Sequence, residues 1–353
     1  MPKVLVVNNY PLAGVWQEVK NGQTPDQYLF GINYFHERNH KVELIDFQAD
    51  PFLDNIEAVY RRLRLPIPIG NLEQQAHVLS AKDADLIYSP CQTQTHLLAY
   101  MRALGLLKTP LVCLAHQPLN TGRLAYLREP ITKLMVSGCD SLPSISRLLS
   151  AGIDKRYGKS IGLTWGPDKD FYHLHEGKGN GIVSAGRTGR DFNILGKAAS
   201  KANVQTHIVC LQSSKQPSFS EFSNCVKVTI RPDSKFMPYS ELMQLYGQAR
   251  ALAIPLYSNN HTNGISSLID ALAMGKPVVM TRNPYMDIDI ESLGIGRWVE
   301  LGDEDGWVEA LTFFDKNPDA AAEMGKRGRD LVDSGINSQT FANQVMDIFD
   351  KVL

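Results

Sequence analysis

"HTNGISSLIDALAMGKPVVMTR", residues 261–282, reads as loop, helix, stop and strand, and that order decides the fold class. Ile265, Leu268, Ile269 and Leu272 recur at i, i+3, i+4 and i+7, one apolar stripe at helical period. Gly275, followed by Lys276 and Pro277, stops the helix, because glycine tolerates the left-handed cap and proline cannot continue it. "VVMT" is then a short strand. Asn263, Ser266 and Asp270 fall together opposite the stripe. They read either as a solvated face with Asn263 or Ser266 as N-cap, or as a ligand platform. In the second reading the amides of Gly264, Ile265, Ser266 and Ser267 face an anion and Asp270 accepts from hydroxyls.

The same alternation runs outward in both directions. "KVLVVNN", "HKVELID", "ADLIYSP", "TPLVCLAH" and "KLMVSG" form a first series of strands; "GNGIVSAG", "VQTHIVCL", "VKVTI", "ARALAIPL" and "KPVVMT" form a second. Strands this apolar, separated by helices, imply parallel sheets covered on both faces. Between the series, "WGPDKDFYHLHEGKGNG" is rich in glycine, proline and charge, as a linker is. The expectation is an α/β protein of two Rossmann-like, doubly wound domains facing across a cleft. The N-terminal domain spans 1–172, a linker 173–180, the second domain 181–335, and an amphipathic closing helix 336–353.

Composition narrows the function. A net charge of -1 lacks the basic excess that a bulk grip on nucleic acid needs. No apolar run approaches the length of a membrane span, and "MPKVLVVNNYP" enters a strand without a signal-peptide layout, so a cytoplasmic location is expected. The five cysteines are scattered and odd in number, which fits neither a disulfide framework nor a zinc site. "DID" at Asp287–Asp289 has the form of a metal-binding D-x-D but sits in a loop after a different strand, and no metal site is assigned.

Open parallel sheets bind ligands beyond the carboxyl ends of their strands, so the residues that follow strands carry the argument. After the first strand comes a long loop whose glycines, Gly14, Gly22 and Gly31, are too widely spaced for a dinucleotide fingerprint. Gly22 is either a flexible turn or part of an anion-facing loop before a helix begun by "TPDQ". His116 ends "LVCLAH"; it is either a structural histidine or a neutral donor to a sugar or backbone carbonyl. "SAGRTGRD" places Arg187 and Arg190 within one turn, flanked by glycines, where guanidinium groups can fork onto phosphate oxygens. Together with the helix start at 264–267, the pair suggests a diphosphate site, with Asp270 placed for a ribose diol.

The order of His116, "WGPDKDFY", "SAGRTGRD" and "GISSLIDALAMGKPVV" resembles the GT-B-fold retaining glycosyltransferases of family 4, over essentially the whole chain. The resemblance implies transfer of a hexose from a nucleoside-diphosphate sugar, UDP- or GDP-linked, to an acceptor hydroxyl, without a metal or a further cofactor. It implies that Asp270 holds the ribose, that Arg187 and Arg190 hold the diphosphate, that His116 touches the donor sugar and that Gly22 lies near the phosphates. It also implies that the last helix crosses back to the first domain. One position departs: the first glutamate of the family's E-x7-E motif is Thr262 here, with Asn259, Asn260 and His261 as candidate substitutes. A non-catalytic sugar-nucleotide-binding protein and a nucleotide-sugar epimerase of the same fold are the alternatives. For the acceptor, a sugar or a glycolipid, the first domain offers "YRRLRLPIPIG". Its Arg61, Arg62 and Arg64 beside Leu63, Leu65 and Ile67 form either a peripheral membrane contact or a solvated helix end.

Overall fold

The computed structural model describes the 353-residue chain except residues 64, 82, 175–176, 213–218 and 233–236; Arg64 of the basic patch and part of the linker therefore lie outside the described residues. The chain divides into two compact units. The first holds Met1–Asn21, Asp26–Trp165 and Ser338–Leu353, the second Gly22–Pro25 and Gly166–Asn337.

In the first unit the strands are β1 (Lys3–Val7), β2 (Lys41–Ile45), β3 (Leu86–Ser89) and β4 (Leu111–Cys113), in the order β2-β1-β3-β4. All pairs are parallel, with Val4 opposite Val42 and Leu86, and Ile87 opposite Leu111. Bridges from Val112 to Ser141 and Ala115 to Ser144 join this sheet to a parallel pair, β5 (Leu142–Ser144) and β6 (Ser160–Gly162). The helices are α1 (Leu12–Lys20), α2 (Pro51–Leu63), α3 (Leu72–Ser80), α4 (His96–Ala103), α5 (Ala125–Gly138) and α6 (Arg147–Tyr157).

Two expectations fail here. "KLMVSG" is the end of α5, not a strand; a short apolar run suits a buried helix as well as a strand, and length decides between them. The tight approach of α4 selects the small residue at its end, since a Cβ on Gly138 would collide with the Ala99 carbonyl oxygen. The long loop after β1 contains α1, so Gly22 follows a helix rather than introducing one. Its φ of +65° is the left-handed turn just beyond a helix C-terminus, and "TPDQ" opens only a short 3-10 turn, Asp26–Leu29.

The second unit is a six-stranded parallel sheet of β7 (Ile182–Ala185), β8 (Thr206–Leu211), β9 (Val226–Arg231), β10 (Ala251–Ile254), β11 (Val278–Thr281) and β12 (Gly296–Val299). The spatial order is β12-β11-β10-β7-β8-β9. Its helices are α7 (Phe192–Ala202), α8 (Tyr239–Gln248), α9 (Ile265–Ala273), α10 (Glu304–Lys316) and α11 (Pro318–Asp333). Side chains alternate across the strands as the pleat requires. Val183, Leu252, Ile254, Val278 and Met280 pack with Tyr246, Leu268 and Leu272 on one face. Ile182, Ala251, Ala253 and Val279 pack with Leu195, Trp307 and Phe314 on the other. The sheet is thus buried on both sides.

The last helix, α12 (Ser338–Val352), belongs to the first unit. Phe349 stacks edge-on against Phe35 and Tyr88, with ring centroids 5.0 and 5.3 Å apart. Gly31 (φ +86°) leaves room for it: a Cβ there would lie 2.9 Å from the Ala342 Cα. The division between units falls at Trp165/Gly166, upstream of the linker expected at 173–180. The reason is that the "DKDFY" segment is fastened within the second unit: Arg329 donates to the Lys169 and Tyr172 carbonyls, and Tyr172 is buried in its core.

Trp307 is fully buried in the second unit. Trp307→Ala is expected to lower stability by about 3–5 kcal/mol, read from urea unfolding of the full chain. A loss below about 1 kcal/mol would show that the α10 face of the sheet is not the packed core described.

Candidate functional site

Counted from β7, the second sheet has the order 3-2-1-4-5-6, and the direction of winding reverses between β7 and β10. The crevice beyond the carboxyl ends of those two strands is where such a sheet accepts ligands. Residues 186–191 follow β7, and residues 255–264 follow β10 into α9. The two loops are laced together: Tyr257 N–H donates to the Gly189 carbonyl at 3.1 Å and Asp191 N–H to the Pro255 carbonyl at 3.0 Å. Arg190 and Leu256 form an antiparallel bridge. The glycine–arginine loop and the start of α9 therefore come together, as the sequence pattern suggests.

Arg190 is the central group. It is only 8% exposed. Its guanidinium donates to the Ser267 hydroxyl at 2.8 Å and to the Thr188 carbonyl at 3.1 Å, while Nε has no partner. Among the described residues no carboxylate forms an ion pair with it. Burial pulls its pKa down, the direction expected of a desolvated cation. Leaving a buried charge uncompensated typically costs about 3–5 kcal/mol, and an anion is the kind of group that offsets such a cost. Arg187, three residues earlier, is exposed at the loop surface.

The start of α9 corrects the reading of its cap. The N-cap is Gly264, at φ +93°, and no side chain caps the first turn, so neither Asn263 nor Ser266 takes that part. A side chain at 264 is also excluded by space, since a Cβ would lie 2.7 Å from Met280 Cε. Of the first-turn amides, that of Ile265 donates to the Thr262 carbonyl at 3.5 Å, which corrects its expected place among the anion-facing groups, and those of Ser266 and Ser267 lie at an end without a side-chain cap, where helix termini accept anions. Asn283 holds the approach rigid, donating to the His261 and Asn263 carbonyls at 2.8 and 3.1 Å.

Asp270 is not on a solvated face. It is 5% exposed and accepts a hydrogen bond from the Tyr172 hydroxyl at 2.5 Å. Tyr246 completes the cluster. Burial pushes its hydroxyl pKa up and the Asp270 charge adds to this, whereas Arg190 and a hydrogen bond with Ser267 pull it down. Tyr172, Tyr246 and Asn283 were missed by the sequence reading. Each is far from its partner in sequence, and no local pattern marks the pairing.

The loop also discriminates among the substitutes for the missing glutamate. Thr262 is buried. Asn259 donates to the Arg282 carbonyl at 3.0 Å and Asn260 pairs with Ser258. His261 has a buried Nδ1 with no partner. Asp289 is occupied structurally: its carboxylate accepts from the Trp298 indole and from the amides of Glu291 and Ser292.

In the first unit, His116 lies just beyond β4 and is half-buried. Its Nε2 meets the Pro90 carbonyl at 2.5 Å, and its backbone amide donates to Gln92 Oε1 at 3.1 Å. A carbonyl only accepts, so Nε2 carries the proton of the neutral ring. Burial drives the imidazole pKa down to about 4, against the opposing effect of the Pro90 carbonyl.

No protein-family model matches the sequence, and no curated protein does. Solved structures do. A glycosyltransferase from Rickettsia africae ESF-5 superposes with a TM-score of 0.66 at 12% identity, over 99% of this chain and 98% of that one. HepE from Anabaena, in complex with UDP, gives 0.68 at 15% identity, over 99% and 100%. The sucrose-phosphate synthase from Thermosynechococcus elongatus gives 0.70 at 14%, over 100% and 99%. Two α/β units of parallel sheet, matched over their full length by these enzymes, give the chain the GT-B glycosyltransferase fold.

Proposed function

We propose that this protein is a glycosyltransferase of the retaining, family 4 type, moving a hexose from a nucleoside-diphosphate sugar to an acceptor hydroxyl. The observation that carries the reading is Arg190, a guanidinium buried at the switch point of the second sheet that, among the described residues, forms no ion pair with a carboxylate. A diphosphate supplies the missing charge. Arg190 and the uncapped amides of α9 hold its oxygens from the protein side, and Arg187 closes on it from the loop surface. As the sugar–phosphate bond breaks, negative charge grows on the departing diphosphate, and these groups are already placed for it. Because the positive charge is built into the protein, the reaction as proposed needs no metal.

Asp270 is assigned to the ribose hydroxyls, where the Tyr172 hydroxyl orients it. For the hexose, His261 replaces the family's first glutamate, on the strength of its unpartnered Nδ1. His116 is assigned to the donor sugar as a neutral group, and Gly22 is kept near the phosphates only by the resemblance. HepE, one of the proteins sharing the fold, has been captured with UDP-glucose, which supports a uridine donor over a guanosine one. Binding without transfer is the second reading, favoured by Thr262 at the glutamate position; an epimerase would need carboxylates near the sugar that the 258–263 loop lacks.

Calorimetric titration with UDP, GDP and ADP is expected to show selective binding of one of them. Arg190→Met should weaken that binding by about 10–100-fold, the worth of a charged hydrogen-bond donor, and turnover by about 10²–10³-fold. Asp270→Ala should weaken binding as well; unchanged affinity in both variants would place the nucleotide elsewhere.

His116→Ala is expected to lower kcat with little change in nucleotide affinity. Because the folded-state pKa is near 4, the ring stays neutral from pH 5 to 8 and gains its proton only below that window. The kcat/KM profile should therefore have no limb near pH 6.5 that depends on His116. Such a limb, lost in the alanine variant, would mean that the ring works as a titrating acid or base.

His261→Ala is expected to change the preference among UDP-sugars while leaving UDP affinity within about threefold. An unchanged sugar preference would remove His261 from the site. Release of free UDP with no glycosylated product, over a panel of acceptors, would favour the binding reading.

A further inference from the structure

Asp270 is held by a part of the chain that is remote from it in sequence. It stands inside α9, buried, and its Oδ1 accepts from the Tyr172 hydroxyl. Tyr172 closes the stretch 166–172 that opens this part of the second unit, and that stretch forms no helix or strand. A side chain on irregular backbone is only as well placed as the main chain beneath it.

That main chain is fastened at three points. The Asp168 carboxylate accepts from the amides of Asp170 and Phe171 at 3.0 and 3.1 Å, which closes a turn. Phe171 packs edge-on against Tyr239 at the start of α8, with ring centroids 5.8 Å apart. Arg329 of α11 supplies the third. Asp333 engages its Nε at 3.0 and 3.1 Å, and the two amino ends reach carbonyls. Nη2 donates to Lys169 at 2.8 Å, and Nη1 donates to Tyr172 at 3.3 Å and to Ala273 at 2.8 Å. Ala273 is the last residue of α9, about one turn beyond Asp270. One guanidinium therefore ties the tyrosine backbone to the helix that carries the carboxylate. The close approach of α11 needs Gly325, where a Cβ would collide with the Gly275 carbonyl oxygen.

The torsion that orients an aspartate carboxylate is broad, so the side chain does not fix its own plane. A ribose offers two neighbouring hydroxyls, and a carboxylate accepts from both only when its plane meets them. We infer that Tyr172 and Arg329 set the preference for a ribonucleoside over a 2′-deoxyribonucleoside diphosphate, by holding the Asp270 carboxylate in that plane. The inference rests on the proposed reading in which Asp270 takes the ribose. Both are positioning residues, acting through Asp270 and not on the nucleotide. A fixed, buried acceptor is left unpaired when the deoxy analogue arrives, which penalises that analogue. A carboxylate able to turn would lose that discrimination.

The test is calorimetric titration of the full chain with UDP and 2′-deoxy-UDP. The parent is expected to prefer UDP by about 10–100-fold, the worth of a hydrogen bond to a charged group, and Asp270→Ala to bind the two alike. Tyr172→Phe removes one hydroxyl and keeps the ring in the core. It should cut the preference by about fivefold or more through weaker UDP binding, with 2′-deoxy-UDP affinity held within about threefold. Arg329→Met should act in the same direction, and Arg329→Lys, which keeps the charge, should reduce the preference less. Equal weakening of both nucleotides in Tyr172→Phe, or a preference that Asp270→Ala loses and Tyr172→Phe keeps, would overturn the inference and leave the ribose reading standing. A preference that survives Asp270→Ala would overturn the ribose assignment itself. No preference in the parent, or no binding, would overturn both. A preference intact in the Arg329 variants that fold, with Tyr172→Phe defective, would overturn the part given to Arg329.

Discussion

Parallel strands have to be covered on both faces, and most of this structure follows from that requirement. Helices pack on both faces of the second sheet, so neither face is left for a ligand. Chemistry is displaced to the strand ends. There the backbone has left one element and not yet entered the next, and glycine-rich turns carry the polar and charged groups. The positions of Arg190, Gly264 and His116 are three instances of this displacement.

The second-unit site is best understood as an incomplete electrostatic cluster. Arg190, Ser267, Tyr246, Asp270 and Tyr172 form a chain of contacts in the interior, with a carboxylate at one end and a guanidinium at the other that do not pair. Tyrosine hydroxyls and a serine stand where a direct salt bridge would close the network. Had the two charges met, the site would be self-satisfied and indifferent to anions. Their separation leaves the Arg190 charge without an ion-pair partner among the described residues.

The architecture was readable from the chain because it depends on local patterns: apolar runs of strand length, helical stripes and glycine stops. The loop pairing was readable because both loops follow strands. Reading failed where a decision lay far away in sequence. A helical wheel left Asp270 either solvated or part of a ligand platform, and could not show its burial against Tyr172, 98 residues distant. The run "KLMVSG" has strand composition and helical structure, since only the neighbouring α4 decides it. The unit boundary was misplaced because "DKDFY" looks like a linker, while Arg329, far downstream, fastens it.

The close fit of Ala342 over Gly31 bears on how the molecule is made. The first unit contains the beginning of the chain, yet its aromatic core lacks Phe349 until the last helix is in place. The second unit has every strand and helix it needs by Asn337. Synthesis from the N-terminal side therefore delivers all of the second unit before the helix that fills the aromatic core of the first.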